Sequence, residues 1–234
     1  MRILTWNLGL SFFYKYYSFF GLALNGQRVK NEYFQSQYLD FFVSKILEIK
    51  ADICVLQEFY TKEDANVLVL KLKNVYPYHQ SVSTWYHKHS ILVLSSTPIE
   101  SEHLSNSGFF LLETNNFSFV PIHLNSFRAL KRLEQVKELL KEIENEEVDC
   151  IIGDTNFYNF TENNHSLFLG DKKAYSNLSN LFEDATKSLL YTTILHLNFD
   201  KVFLRKDIKF KNTTCLHVGK KGMDHYPVYL DLLL

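Results

Sequence analysis

Short, β-rich apolar runs recur along this chain, and four of them abut a polar word: Thr5-Trp6-Asn7, Leu56-Gln57-Glu58, Gly153-Asp154-Thr155-Asn156 and Asp224-His225. Apolar runs this short, bounded by polar and turn-forming residues, read as strands. A strand end is where a rigid scaffold can aim oxygen ligands, a water-orienting carboxylate and an imidazole at one point. The chain is therefore expected to build sheets whose rims carry chemistry.

Between these words the pattern alternates. Residues 36–50 place Leu39, Phe42, Val43, Ile46 and Ile49 at helical spacing, and Asp52–Leu56 follows as a buried strand. Thr61 with Asp64 resembles a capping box opening a helix with Val67, Leu68 and Leu72. Strands are expected at Arg2–Trp6, Ser90–Leu94, Phe109–Glu113, Phe117–Ile122, 148–152, Phe199–Leu204, Phe210–His217 and Pro227–Leu232. The clearest helix is 127–145, with Leu130, Leu133, Val136, Leu140 and Ile143 on one face and Glu134–Lys137 and Glu138–Lys141 as i,i+3 pairs. Residues 157–190 read as loop-rich. Helices and strands interleave early and strands dominate later, which predicts an α/β fold of two packed sheets with helices outside. There is no repeat or Pro/Gly-rich seam, so one domain spanning 1–234 is the simplest organisation.

The 234 residues suffice for a large core, and a net charge of −1 argues against a generally basic nucleic-acid binder. Cys54, Cys150 and Cys215 have neither metal-site spacing nor an even count, which fits a reducing, cytoplasmic compartment. Residues 8–24 are strongly apolar, but Ser11, Lys15 and Ser18 interrupt the run and no small-residue cleavage site follows. A soluble, unprocessed monomer without stable membrane insertion is expected.

Glu58 follows a hydrophobic strand. It is either a solvated carboxylate or a Mg²⁺ ligand, since Mg²⁺ takes one or two carboxylates and keeps waters and phosphate oxygens. Asn7 offers an amide oxygen or a phosphate contact. Gly153 permits a sharp turn, and Asp154 with Asn156 on one side suits a water and a phosphate oxygen; an Asx turn is the alternative. His225 is either a surface residue or a phosphate-facing donor, with Asp200 as the carboxylate that would fix its tautomer. His123, ending the strand Phe117–Ile122, offers a second imidazole. His79, His87 and His89 lack the partners for a tetrahedral zinc set and read as a surface feature.

Taken together, the six words LTWN, VLQE, PIHLN, GDTN, FDKVF and MDH resemble those of the endonuclease/exonuclease/phosphatase superfamily, from Leu4 to His225. The nearest likeness within it is to the 5′-tyrosyl-DNA phosphodiesterase-like branch. The resemblance implies a four-layer α/β sandwich of two packed, mainly antiparallel mixed sheets flanked by helices. It further implies a Mg²⁺-dependent phosphodiesterase, with Mn²⁺ as an alternative metal. Glu58 would be the principal metal ligand, with Asn7 and Asp224 near metal and phosphate. Asp154 would orient and deprotonate the attacking water and Asn156 hold the same cluster. His225, paired with Asp200, would contact the scissile phosphate, and His123 would stabilise charge on its oxygens.

Two departures stand out: Met223 replaces the serine usual before Asp-His, and residues 8–38 form a longer aromatic insertion. Arg128, Lys131, Arg132, Arg205, Lys206, Lys209, Lys211, Lys220 and Lys221 could line a groove for nucleic acid or a DNA adduct. The aromatic stretch 12–20 suggests instead a sphingomyelinase-like lipid or other small phosphoester as substrate. A binding module that has lost its chemistry is discounted, because no inferred position carries an inert residue.

Overall fold

The computed structural model describes residues 1–9, 32–58, 62–83, 90–104, 108–160, 165–166, 168–193, 196–218 and 224–234. The aromatic stretch 12–20, Thr61 of the expected capping box, His87, His89, Lys220, Lys221 and Met223 lie outside the described residues.

Two six-stranded sheets form the centre of the molecule. The first runs β13 (Phe210–Cys215), β14 (Val228–Leu232), β1 (Arg2–Asn7), β2 (Ile53–Gln57), β4 (Ser90–Ser95) and β3 (Tyr78–Ser83). The second runs β11 (Phe182–Asp184), β12 (Asp200–Arg205), β8 (Cys150–Asp154), β7 (Phe117–His123), β6 (Phe109–Thr114) and β5 (Glu100–Leu104). A small ribbon pairs β9 (Asn159–Phe160) with β10 (His165–Ser166). Only β1–β2 and β7–β8 pair in parallel among the described strands; the other pairs are antiparallel.

Strand alternation builds the layers, because successive side chains point to opposite faces. Ile3, Ile53, Val55 and Val93 of the first sheet meet Phe117, Phe119, Cys150, Ile152 and Val202 of the second in a buried inner layer. The outer-facing Leu4, Trp6, Cys54 and Leu56 pack under helices α1 (Glu32–Ile49) and α2 (Lys62–Leu72). There Trp6 meets Phe42 edge-on, with ring centroids 5.0 Å apart. On the far side Val120, Ile122, Ile151 and Phe203 pack under α3 (Ala129–Glu142) and α4 (Leu169–Leu181). The result is the expected four-layer α/β sandwich.

Two expectations are corrected. Residues 157–190 are not loop-rich: they hold α4 and β11. Ser and Asn are weak helix formers, which hid α4, but Ala174 and Leu178 are buried and Asp171 is anchored by an ion pair. The buried face of α3 is also rotated. Leu130 is 69% exposed, whereas Arg132, Gln135, Val136 and Leu139 are buried. Arg132 and Gln135 can enter the interior because Asp171 and the Asn125 backbone complete their hydrogen bonds.

Candidate active site

Sheet register explains why the polar words converge. Parallel pairing of β1 with β2 sets Asn7 opposite Gln57, and parallel pairing of β7 with β8 sets His123 opposite Asp154. The antiparallel β12 then brings its first residue, Asp200, beside Asp154. Likewise the antiparallel β14 begins at this end, so Asp224-His225 just before it reaches the same rim. In each strand the residue concerned has the parity of the inner face, since Ile3, Val55, Phe119, Ile152 and Val202 of the same strands lie in the inner layer.

Asn7 donates from Nδ2 to Asp154 Oδ2 at 2.8 Å, and its Oδ1 accepts the Gly9 N–H at 2.9 Å. Both polar atoms of Asn7 thus have protein partners, one of them the Asp154 carboxylate. The second carboxylate oxygen of Asp154 accepts the Asn156 N–H at 2.7 Å. Asn156 has φ 51°, so the chain does not stay extended after Asp154, and the Asx turn of the alternative reading forms. Its side chain bonds the Leu124 carbonyl at 3.0 Å and braces the loop after His123.

His123 is buried, with Nε2 3.5 Å from Glu58 Oε1 and 3.7 Å from Asp154 Oδ2. Glu58 has the outer-face parity of Leu56, and the turn of its backbone at φ 62° brings its carboxylate to the rim, beside His123. His225 donates from Nδ1 to Asp200 Oδ2 at 2.8 Å and presents Nε2 3.9 Å from Asp154 Oδ2. Its backbone carbonyl accepts the Trp6 indole N–H at 3.3 Å. Burial works against charge on this ring, but the Asp200 carboxylate overrides it, helped by Asp154 and Asp224, and holds His225 well above the usual histidine range. Burial pushes the Asp224 carboxyl up; His225 pulls against it, while Glu58 and Asp154 add to the rise.

All eight residues singled out from the sequence come together here: Asn7, Glu58, His123, Asp154, Asn156, Asp200, Asp224 and His225. Two supporting residues carried no signal. Gly9 leaves room for Asp224, since a Cβ there would stand 2.5 Å from Asp224 Oδ1. Thr192 accepts the Phe199 and Asp200 N–H groups through its hydroxyl at 3.1 Å and so fixes the start of β12. Gly153 acts differently from expectation. It lies within β8, not in a turn, and a Cβ would fall 1.9 Å from the Ile122 carbonyl oxygen.

The donor set fits a divalent cation. Glu58, His123 and Asp154 offer ligand atoms within 4.8 Å of one another, as do Asp154, Asp200 and His225. Among the described residues, Asp224 Oδ1 and Asp200 Oδ1 are buried without a hydrogen-bond donor. Carboxylate oxygens joined by imidazole nitrogens are donors that divalent cations accept.

Among the described residues, two members of the expected basic groove are engaged elsewhere. Arg132 is buried against Asp171, and Arg205 pairs with Asp149 and Asp207 at the end of β12 remote from Asp200. Arg128 is exposed, with its backbone N–H bonded to Asn125 Oδ1 at 2.8 Å.

Solved structures place this fold in a known class. The chain is similar to humanized D. rerio TDP2 (17% identity, TM-score 0.68, covering 100% of this chain and 99% of the other). It is also similar to an AP endonuclease from Archaeoglobus fulgidus (13% identity, TM-score 0.69, 100% of both chains). An endonuclease/exonuclease/phosphatase family protein from Bacteroides thetaiotaomicron matches comparably (13% identity, TM-score 0.69, 99% and 97%). No protein-family profile and no curated protein sequence matches the chain. The architecture is therefore the endonuclease/exonuclease/phosphatase fold, with its candidate site at one rim of the paired sheets.

Proposed function

We propose that this protein is a metal-dependent phosphoester hydrolase, with Mg²⁺ as cofactor (Mn²⁺ an alternative) and phosphodiesters of nucleic acid or a DNA adduct as substrates. The observation that carries this reading is the convergence of Glu58, His123, Asp154, Asp200, Asp224 and His225 on one buried rim, with His225 hydrogen-bonded to Asp200. The fold neighbours named as TDP2 and as an AP endonuclease support the substrate class.

Glu58 and Asp224 would hold the cation, with Asn7 acting on Asp154. When bound, such an ion supplies charge neutralisation at the phosphate and favours ionisation of water. Asp154, gripped on both oxygens by Asn7 and Asn156, orients the attacking water and takes its proton. His225, held cationic by Asp200, donates from Nε2 to a phosphate oxygen. His123 faces the same space and stabilises charge developing on the phosphoryl oxygens.

The test is a Mg²⁺-dependent hydrolysis panel: abasic DNA, 5′-tyrosyl DNA, single and double strands, a phosphocholine lipid and a phosphomonoester, with Asp154→Asn as the blank. Turnover of a nucleic-acid member, absent in the blank, is expected. Preferential turnover of the lipid or the monoester would replace the substrate class, and no turnover of any member would refute the reading.

A further inference from the structure

Arg132 and Asp171 are each completely buried. Arg132 donates from Nε and Nη2 to the two carboxylate oxygens of Asp171 at 2.7 and 2.8 Å, a bidentate fork. Removing both charges from water is costly, and an apolar pair of similar volume is commonly as stable. Stability alone is therefore a poor reason for the pair, and its remaining contacts supply a better one.

Arg132 donates from Nη1 to the Asn125 carbonyl at 2.8 Å, while Gln135, on the same face of α3, accepts the Asn125 N–H at 2.9 Å. Asn125 lies two residues beyond His123. On the other side, Asp171 Oδ2 accepts the Tyr158 N–H at 3.2 Å, and the guanidinium sits 5.3 Å from the Tyr158 ring centroid. Tyr158 lies two residues beyond Asn156 and four beyond Asp154. The two loops are also tied to each other, because the Leu124 N–H donates to the Asp154 carbonyl at 2.9 Å and Asn156 Nδ2 to the Leu124 carbonyl. The helices meet at this point, with Gly170 against Ala129 so closely that a Cβ would lie 2.7 Å from the Ala129 carbonyl oxygen.

We propose that the Arg132–Asp171 pair is a positioning device for the catalytic rim, clamping α3 and α4 onto the two loops that aim His123 and Asp154. The inference rests on the phosphoesterase reading for its effect on turnover, though not for its effect on the loops. A guanidinium is required because three differently directed N–H groups are used at once, and a lysine ammonium on a flexible stem cannot reproduce that fork. His123 Nε2 stands within 4 Å of both Glu58 and Asp154, and a shift of about 1 Å in such a site costs about 100-fold in rate.

The decisive variant is the full chain with Arg132→Met and Asp171→Leu together, which removes the clamp without leaving an unpaired charge. Its thermal midpoint and circular dichroism should match the unsubstituted protein. On the best substrate of the panel kcat should fall by about 10- to 100-fold while KM changes less than about twofold, because neither residue touches substrate. Amide hydrogen exchange at Asn125, Asn156 and Tyr158 should accelerate by at least about tenfold with the β7 and β8 amides unchanged, the pattern of local opening.

Arg132→Lys keeps the charge and should fail to restore kcat; if the apolar pair does not fold, this variant decides the same readouts. Unaltered exchange at the three amides with wild-type kcat would overturn the clamp. Accelerated exchange in a protein whose parent hydrolyses nothing would uphold the clamp and refute the phosphoesterase reading instead.

Discussion

Asn7 and Asp154 join the two sheets at the rim of the candidate site: the Asn7 amide at the end of β1 donates to Asp154 at the end of β8, 2.8 Å away. With the Asn156 N–H on its other oxygen, the Asp154 carboxylate is held in a fixed plane between His123 and His225.

Substitutions on the two sides of this bond should separate orientation from proton transfer. Asn7→Ala is expected to lower kcat by about 10- to 100-fold, the usual effect of losing the group that orients a site residue. Asp154→Asn should lower it by at least about 100-fold, the scale of a lost general base. Steady-state kinetics on the best substrate measures both, and full activity in Asp154→Asn would sink the assignment.

Glu58→Gln keeps the shape and removes the negative donor. The Mg²⁺ concentration for half-maximal turnover should rise by about tenfold or more. Chelation should abolish turnover in the parent, and added Mg²⁺ or Mn²⁺ should restore it. A normal Mg²⁺ titration in Glu58→Gln would show that the carboxylate has another task.

Gly153→Ala should damage the fold itself. The backbone there has φ 145°, and the new Cβ would overlap the Ile122 carbonyl oxygen of the neighbouring strand. The expected loss exceeds about 1 kcal/mol, whereas the same change would stabilise at a position whose backbone suits alanine. Urea unfolding reads it, and an unchanged midpoint would mean that β7 and β8 can separate freely.

Acid should weaken the closure of the first sheet. Arg2 hydrogen-bonds Asp231 at 2.7 Å between β1 and β14 and holds that carboxyl below the usual aspartate value. A folded pKa below the unfolded one makes the contribution fully present above the unfolded value near 3.8 and lost as pH falls through the lowered folded value. The pair is part-exposed, so screening keeps the effect below about 1 kcal/mol. Asp231→Asn should lower stability at pH 7 and leave it nearly unchanged at pH 2. A variant as acid-sensitive as its parent would assign that sensitivity to other carboxylates.

Much of this was legible locally. Strands β1, β2, β4, β6, β7, β8, β12, β13 and β14 follow from apolar runs, and each rim residue stands beside one of them. Two kinds of feature were not. The polar sequence of α4 gives no helical signal, because its helix depends on burying Ala174 and Leu178 against the outer face of the second sheet. Arg132 itself reads as a surface or substrate-facing cation from the periodicity of α3, since no local pattern names a partner 39 residues away.

The identity and order of the chemistry-bearing residues, and their placement at strand termini, belong to the sequence alone, because alternation and strand length are local properties. Tertiary structure decided which termini meet. Parallel pairing within β1–β2 and β7–β8, and antiparallel entry of β12 and β14, bring Asn7, His123, Asp154, Asp200 and His225 to one rim. It also decided that Asn7 bonds Asp154 and that Arg132 is buried against Asp171. Hydrogen bonds between residues far apart in the chain form only once both sheets have packed, and these set the final geometry of the site.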